Sequence, residues 1–89
     1  MVTKSLHISG KVQGVFYRVS ARDKARELGL NGYVRNLRDG SVEAVVSGPE
    51  EVVNDFIRWC ADGPPRAKVD NVKVSDMELT EFKGFEIAR

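Results

Sequence analysis

The chain has 89 residues, 42% of them apolar, which suits one small domain built on a single two-layer core. Fourteen basic against thirteen acidic residues leave a net charge of +1, without the basic excess expected of a nucleic-acid-binding domain. One cysteine excludes an internal disulfide framework, one cysteine plus one histidine limit any Cys/His zinc site to two ligands, and no apolar run suggests a signal peptide or membrane span, so the expected location is cytoplasmic.

Residues 4–12 read as a strand with Leu6, Ile8, Gly10 and Val12 on one face. His7 falls on the other face and is expected to be a sheet-face residue rather than a catalytic base. From about 18 to 28 the pattern turns helical, with Ala21, Ala25 and Leu28 at spacings of four and three and charged residues on the outside. Gly29 reads as the helix stop. Residues 32–37 and 41–47 read as two strands joined through Arg38-Asp39-Gly40, a strong hairpin signal. Gly48-Pro49-Glu50-Glu51 then opens a second helix, with proline and carboxylates suited to a first turn. Its apolar stripe is Val52, Val53, Phe56, Ile57 and Cys60, and Asp62-Gly63-Pro64-Pro65 ends it. A further strand is expected within 69–79, where Val72 and Val74 alternate, and Phe85-Glu86-Ile87 can add a short terminal one. The order β-α-β-β-α-β predicts an α+β, ferredoxin-like sandwich with both helices on one face of an antiparallel sheet.

Between the first strand and the first helix stands Gly10-Lys11-Val12-Gln13-Gly14-Val15-Phe16-Tyr17-Arg18. Such a loop can aim several backbone N–H groups at one point, beside the positive end of a helix dipole, with a guanidinium alongside. That combination holds a phosphate dianion. Glycine at 10 and 14 removes Cβ atoms that would block a close approach and permits positive φ. By itself the spacing fits an ordinary strand-to-helix turn equally well. No Lys-Ser or Lys-Thr pair follows the second glycine, so nothing is placed to hold Mg²⁺ against a nucleotide.

The same residues closely resemble the first signature of the acylphosphatase family, Gly-x-Val-Gln-Gly-Val-x-(Phe/Tyr)-Arg. The stretch Gly32-Tyr33-Val34-Arg35-Asn36-Leu37-Arg38-Asp39-Gly40-Ser41-Val42-Glu43, closed by Gly48, resembles the second. Gly63-Pro64-Pro65-x-Ala67-x-Val69 and the ending Gly84-Phe85-Glu86-Ile87 also look like this family, so the likeness runs along the whole chain, as one domain over 1–89. The resemblance implies hydrolysis of acyl phosphates to carboxylate and inorganic phosphate, by a monomer without metal or cofactor. It further implies that the backbone of Gln13, Gly14, Val15, Phe16, Tyr17 and Arg18 cradles the phosphate, that the Arg18 side chain binds phosphate oxygens, and that Asn36 positions the attacking water.

Three other readings compete. Cys60-Ala61-Asp62-Gly63-Pro64-Pro65-Arg66 has the Cys-x₅-Arg spacing of cysteine-dependent phosphatases, but two prolines lack the N–H groups such a loop needs, and Cys60 continues an apolar stripe. An RNA-binding module of the same fold would place aromatics on the open sheet face, and Tyr33 and Phe85 are candidates, yet no RNP-like run of basic residue, glycines and aromatics exists. A regulatory domain that senses phosphorylated metabolites without turnover would keep the same loop.

Overall fold

A computed structural model describes Met1–Ala88; Arg89 lies outside the described residues. Alternation of apolar and polar residues makes Val2–Lys11 a strand, β1, that buries Leu6 and Ile8 on one face. The helix α1, Tyr17–Glu27, buries Tyr17, Ala21 and Ala25, spaced by four residues, and Leu28 packs against the core just beyond it. Gly29 ends it at φ 73, where a Cβ would be disfavoured, and Leu30 donates its N–H back to the Ala25 carbonyl at 2.9 Å. Then follow β2, Asn31–Asn36, and β3, Val42–Gly48, as the hairpin signal requires. The second helix, α2, Glu50–Asp62, buries Val53, Phe56 and Cys60, with Val52 and Ile57 at the margin of the same stripe. The strands β4, Lys68–Met77, and β5, Phe85–Ile87, complete the chain.

The sheet order is β4-β1-β3-β2-β5. The first four strands are mutually antiparallel, with β1 between β3 and β4, which is the ferredoxin-like arrangement. The sequence-based expectation of an antiparallel sheet holds for these four. β5 joins the edge in parallel with β2, pairing Gly32 with Phe85 and Val34 with Ile87, so the complete sheet is mixed. This pairing is supported from α1, where Arg26 Nε donates to the Phe85 carbonyl at 3.0 Å and the guanidinium lies 3.2 Å from the Glu86 carboxylate. The fourth strand, expected within 69–79, begins at Lys68 and stops at Met77. Residues beyond it cross toward the open face, where the Thr80 N–H donates to Thr3 Oγ1 at 2.9 Å and Phe82 meets Tyr33 edge-on.

Between sheet and helices, Phe56 packs against Phe85 and Trp59, and Trp59 against Tyr17. The Tyr17 hydroxyl, fully buried, donates to the Cys60 carbonyl at 2.7 Å. That bond ties the first residue of α1 to the last turn of α2, and fixes where the following residue, Arg18, stands.

Gly10 serves a different purpose from the one its place in the loop suggests. A Cβ there would lie 2.2 Å from the Lys68 carbonyl oxygen and 2.7 Å from the Asp70 nitrogen, at the bulge where β1 and β4 slip register. The space belongs to the neighbouring strand rather than to an anion. Gly10→Ala, also at φ 123, is expected to destabilise the protein by about 2 kcal/mol or more, read as a lower urea midpoint.

Candidate active site

One register row sets the geometry. Asn36 pairs with Val42, Val42 with Ile8, and Ile8 with Val72. Asn36 has the same parity along β2 as buried Val34, so it lies on the helix-facing side of the sheet. It is the last residue of β2, two strand spacings or about 10 Å across from Ile8, three residues before β1 ends at Lys11. The loop leaving β1 climbs from that same end toward α1 and passes on that same side.

The loop itself is built from two left-handed turns of the backbone. Gly14 has φ 75, and Phe16, the residue before α1, has φ 65 and ψ 21. A Cβ on Gly14 would meet nothing within 4 Å, so glycine is needed there for its backbone angle and not for space. The first backbone bond of α1 is from Ser20 to the Phe16 carbonyl. Among the described residues, the N–H groups of Gly14 through Arg18 have no hydrogen-bond acceptor. Alternation of left-handed and ordinary backbone angles turns successive N–H groups toward one concavity, and the first turn of the helix adds its own unpaired donors.

Side chains divide along the loop. Val15 and Tyr17 turn into the core, while Phe16 and Gly14 are exposed and Arg18 is half-buried. Tyr17 therefore offers its backbone alone, and burial pushes its hydroxyl pKa up, out of acid–base use. Gly14, Phe16, Tyr17 and Arg18 line one cavity of about 260 Å³ together with Val12 and Val19. Among the described residues Arg18 makes no ion pair and no side-chain hydrogen bond, so its guanidinium is available to a ligand.

Asn36 is outside the wall of that cavity but is fastened beside the loop by Gln13. The Gln13 Nε2 donates both hydrogens, to the Leu37 and Ser41 carbonyls, each at 2.8 Å. The sequence pointed to the Gln13 backbone; the anchoring by its side chain spans 24 and 28 residues of chain and carries no local signal. The hairpin it grips is closed by Leu37 N–H to the Ser41 carbonyl at 2.9 Å and by Asp39, which accepts from the Ser41 N–H and hydroxyl. Those bonds hold the Asp39 carboxyl below the usual carboxylate range, with nearby His7 adding to the effect. His7 lies on the open face as expected. Its Nε2 approaches Ser41 Oγ at 2.9 Å and Asp39 Oδ2 at 3.4 Å, so serine and aspartate share one ring nitrogen and no Ser-His-Asp relay is formed.

Asn36 Oδ1 is buried without a hydrogen-bond partner, the one side-chain polar atom in that condition among the described residues. The arrangement thus combines a concavity of free N–H donors, a free guanidinium and an amide with an unused oxygen. It can hold a compact anion with several acceptor oxygens and orient a neutral nucleophile against it.

Two other places fit such chemistry poorly. The Cys60 thiol is fully buried, and burial raises its pKa to about 12, so it is not a thiolate at neutral pH. A larger groove of about 410 Å³ runs between the helices along Trp59, Pro64 and Pro65, but Asp23 and Glu27 stand on its wall and the one cation there, Lys24, is already paired with Glu27. Nor is Tyr33 a free stacking platform, since it is held edge-on by Phe82 and donates its hydroxyl to Glu43 at 3.4 Å.

The acylphosphatase family model matches residues 4–87. An acylphosphatase of Haloquadratum walsbyi is 56% identical over 82 residues, covering 92% of this chain and 88% of that protein. Among solved structures, an acylphosphatase from Coxiella burnetii superposes with a TM-score of 0.94 at 39% identity, covering 98% of this chain and 92% of the other. Acylphosphatase from Bacillus subtilis gives a TM-score of 0.96 at 31% identity, each chain covered completely. With a family model matched along nearly the whole chain and a fold shared end to end with these enzymes, the chain belongs to the acylphosphatase family and hydrolyses acyl phosphates.

Proposed function

We propose that the backbone N–H groups of the Gln13–Arg18 loop bind the substrate phosphate, that the Arg18 guanidinium neutralises its charge, and that Asn36 orients water for attack at phosphorus. The observation carrying this reading is the row of N–H groups from Gly14 through Arg18 without acceptors, bordered by a guanidinium that has no partner. An anion with three oxygens satisfies both at once.

In the proposed step the water oxygen forms a bond to phosphorus as the bond from phosphorus to the acyl oxygen breaks. One water proton stays on the attacking oxygen and the other passes to a phosphate oxygen, so R–CO–O–PO₃²⁻ and H₂O give R–COO⁻ and H₂PO₄⁻. A carboxamide is no base at neutral pH, so Asn36 orients the water without deprotonating it. The terminal torsion of asparagine is soft, and a small rotation presents its unpaired oxygen to the water. The departing group is a carboxylate, already a good leaving group, so positioning and charge stabilisation suffice and no metal is required. In ¹⁸O water with EDTA present, turnover is expected to continue and the label to enter phosphate. Label in the carboxylate would overturn attack at phosphorus, and loss of turnover on chelation would overturn metal independence.

Gln13 enters this scheme as the strut between phosphate loop and hairpin. Gln13→Leu removes both of its donors, although Leu37 and Ser41 carbonyls keep their bonds from Gly40 and Leu37. The expected result is about a tenfold loss of kcat/KM with a stability loss of about 1–2 kcal/mol. Unchanged kinetics in this variant would remove the strut from the account.

We also propose that the enzyme acts as a single domain over 1–89, a monomer in the cytoplasm. No helix among the described residues is long and apolar enough to cross a membrane. A light-scattering mass near 9.9 kDa and recovery in the soluble fraction of cells would agree; a dimer mass or membrane pelleting would not.

A further inference from the structure

A net charge of +1 conceals an uneven distribution. Among the described residues, Lys4, Arg22, Lys24, Arg26, Arg35 and Arg58 each lie within ion-pair distance of a carboxylate. Seven basic side chains have no such partner there, and five of them stand at one end of the molecule. Lys11 closes β1 and Lys68 opens β4, and Arg66 precedes it in a turn where the Ala67 N–H donates to the Pro64 carbonyl at 2.9 Å. Arg38 sits in the turn between β2 and β3, and Arg18 in the first turn of α1. This is the end that carries the phosphate loop. Its carboxylates are Asp39, Asp62 and Asp70, and Asp39 is already bonded to Ser41 and approached by His7.

Lys11 and Lys68 are the unexpected pair. They stand directly opposite each other in the β1–β4 ladder, and both are exposed. Like charges opposite each other across a ladder repel, so this pairing works against the fold. A lysine on an edge strand guards it against pairing with another chain, which accounts for Lys68. β1 is an interior strand, so Lys11 needs another reason. Lys11 is three residues before Gly14, a span of at most about 11 Å, and Lys68 lies one strand spacing, about 5 Å, to its side. Neither lysine lines the cavity at Gly14 and Arg18. Both therefore stand outside the phosphate position, yet well within one screening length of it at low salt.

We propose that Lys11 and Lys68 form an electrostatic guide that draws the acyl phosphate dianion to the loop without touching it. The inference rests on the placement of phosphate proposed above. The field of two ammonium groups acts on the substrate's charge at every stage from encounter onward. That overall charge is the same in the bound substrate and in the transition state, so the pair raises kcat/KM and leaves kcat alone. Two charges acting on a dianion from about 12 Å through water raise its local concentration roughly fivefold at about 0.01 M salt and less than about twofold at 0.15 M.

The test measures kcat and kcat/KM for benzoyl phosphate across a sodium chloride series in the wild type, in Lys11→Gln/Lys68→Gln and in Lys11→Arg/Lys68→Arg. Competition by chloride at the loop is common to all three and cancels in their ratios. At about 0.01 M salt the glutamine variant is expected to show a roughly fivefold lower kcat/KM with kcat unchanged. The deficit should close to less than about twofold by 0.15 M. The arginine variant keeps both charges and should follow the wild type throughout, which separates charge from the particular side chain. The urea midpoint of the glutamine variant should not fall, because a repulsion is removed. A ratio of wild type to glutamine variant below about twofold at 0.01 M salt, one that does not shrink with salt, or a kcat that falls in step overturns the guide and leaves the phosphate loop in place. An Arg18→Ala variant within about tenfold of wild type would instead move the anion away from the loop and take the guide with it.

Discussion

Replacing Arg18 with alanine is expected to lower kcat/KM by about 1,000-fold, with both a higher KM and a lower kcat. In the proposed site its guanidinium is the permanent charge beside the phosphate, and the backbone N–H groups of Gly14 through Arg18 supply only dipoles. The dianion is present in the ground state, so binding weakens. Charge on the phosphoryl oxygens persists through the transition state, so turnover falls as well. Arg18 makes no ion pair and no hydrogen bond within the described chain, so the fold loses little, and the thermal midpoint should stay within a few degrees of wild type. Arg18→Lys is expected to recover charge but not the planar fork, and so only part of the rate. Kinetics with benzoyl phosphate would decide it. An alanine variant within tenfold of wild type would move the anion away from this loop.

Asn36→Ala carries the second large effect and divides it differently. kcat is expected to fall about 100- to 1,000-fold while KM and inhibition by inorganic phosphate change little, because in the proposed step the amide meets the water and not the phosphate. Stability supplies an independent reading. Asn36 Oδ1 has no hydrogen-bond partner among the described residues, so truncation to alanine breaks no bond that the fold makes through that atom. The variant should therefore keep a urea midpoint close to wild type while nearly inactive. A residue kept for packing would behave in the opposite way, losing stability and keeping turnover. That opposite pattern would sink the assignment.

The two changes together explain why sequence signatures and side-chain environments agree here. Arg18 and Asn36 are both poorly used by the fold: one lacks any partner and the other holds an acceptor without a donor. Residues that contribute little to stability at such positions are those expected at a site that meets its ligand. Their immediate neighbours are the reverse. Tyr17 is fully buried and bonded to the Cys60 carbonyl, and Leu37 closes the hairpin with Ser41.

Much of this protein is legible from local pattern. The four-residue spacing of Ala21 and Ala25, the stripe through Phe56 and Cys60, the glycine stop at 29 and the turn at 38–40 each follow from the geometry of a few consecutive residues. The order of elements then leaves few ways to bury both helices, and the ferredoxin-like sheet is among them. The two signatures identified the family and its reaction in the same way, as runs of adjacent residues. The tertiary structure alone decided what depends on contacts between distant parts of the chain. Gly10 is glycine because the backbone of β4, some sixty residues away, needs its space. The Gln13 side chain reaches across the fold to a hairpin, and β5 pairs in parallel with β2 with its Phe85 carbonyl bonded from Arg26 of α1. Adjacent aromatics meet opposite fates: a left-handed backbone at Phe16 turns its ring outward, while Tyr17 begins the helix and is buried. Sequence periodicity reports which face a residue shares with its neighbours three or four positions away. It carries no term for the partner that the fold later brings alongside, and that partner decides whether a glycine makes room for an anion or for another strand.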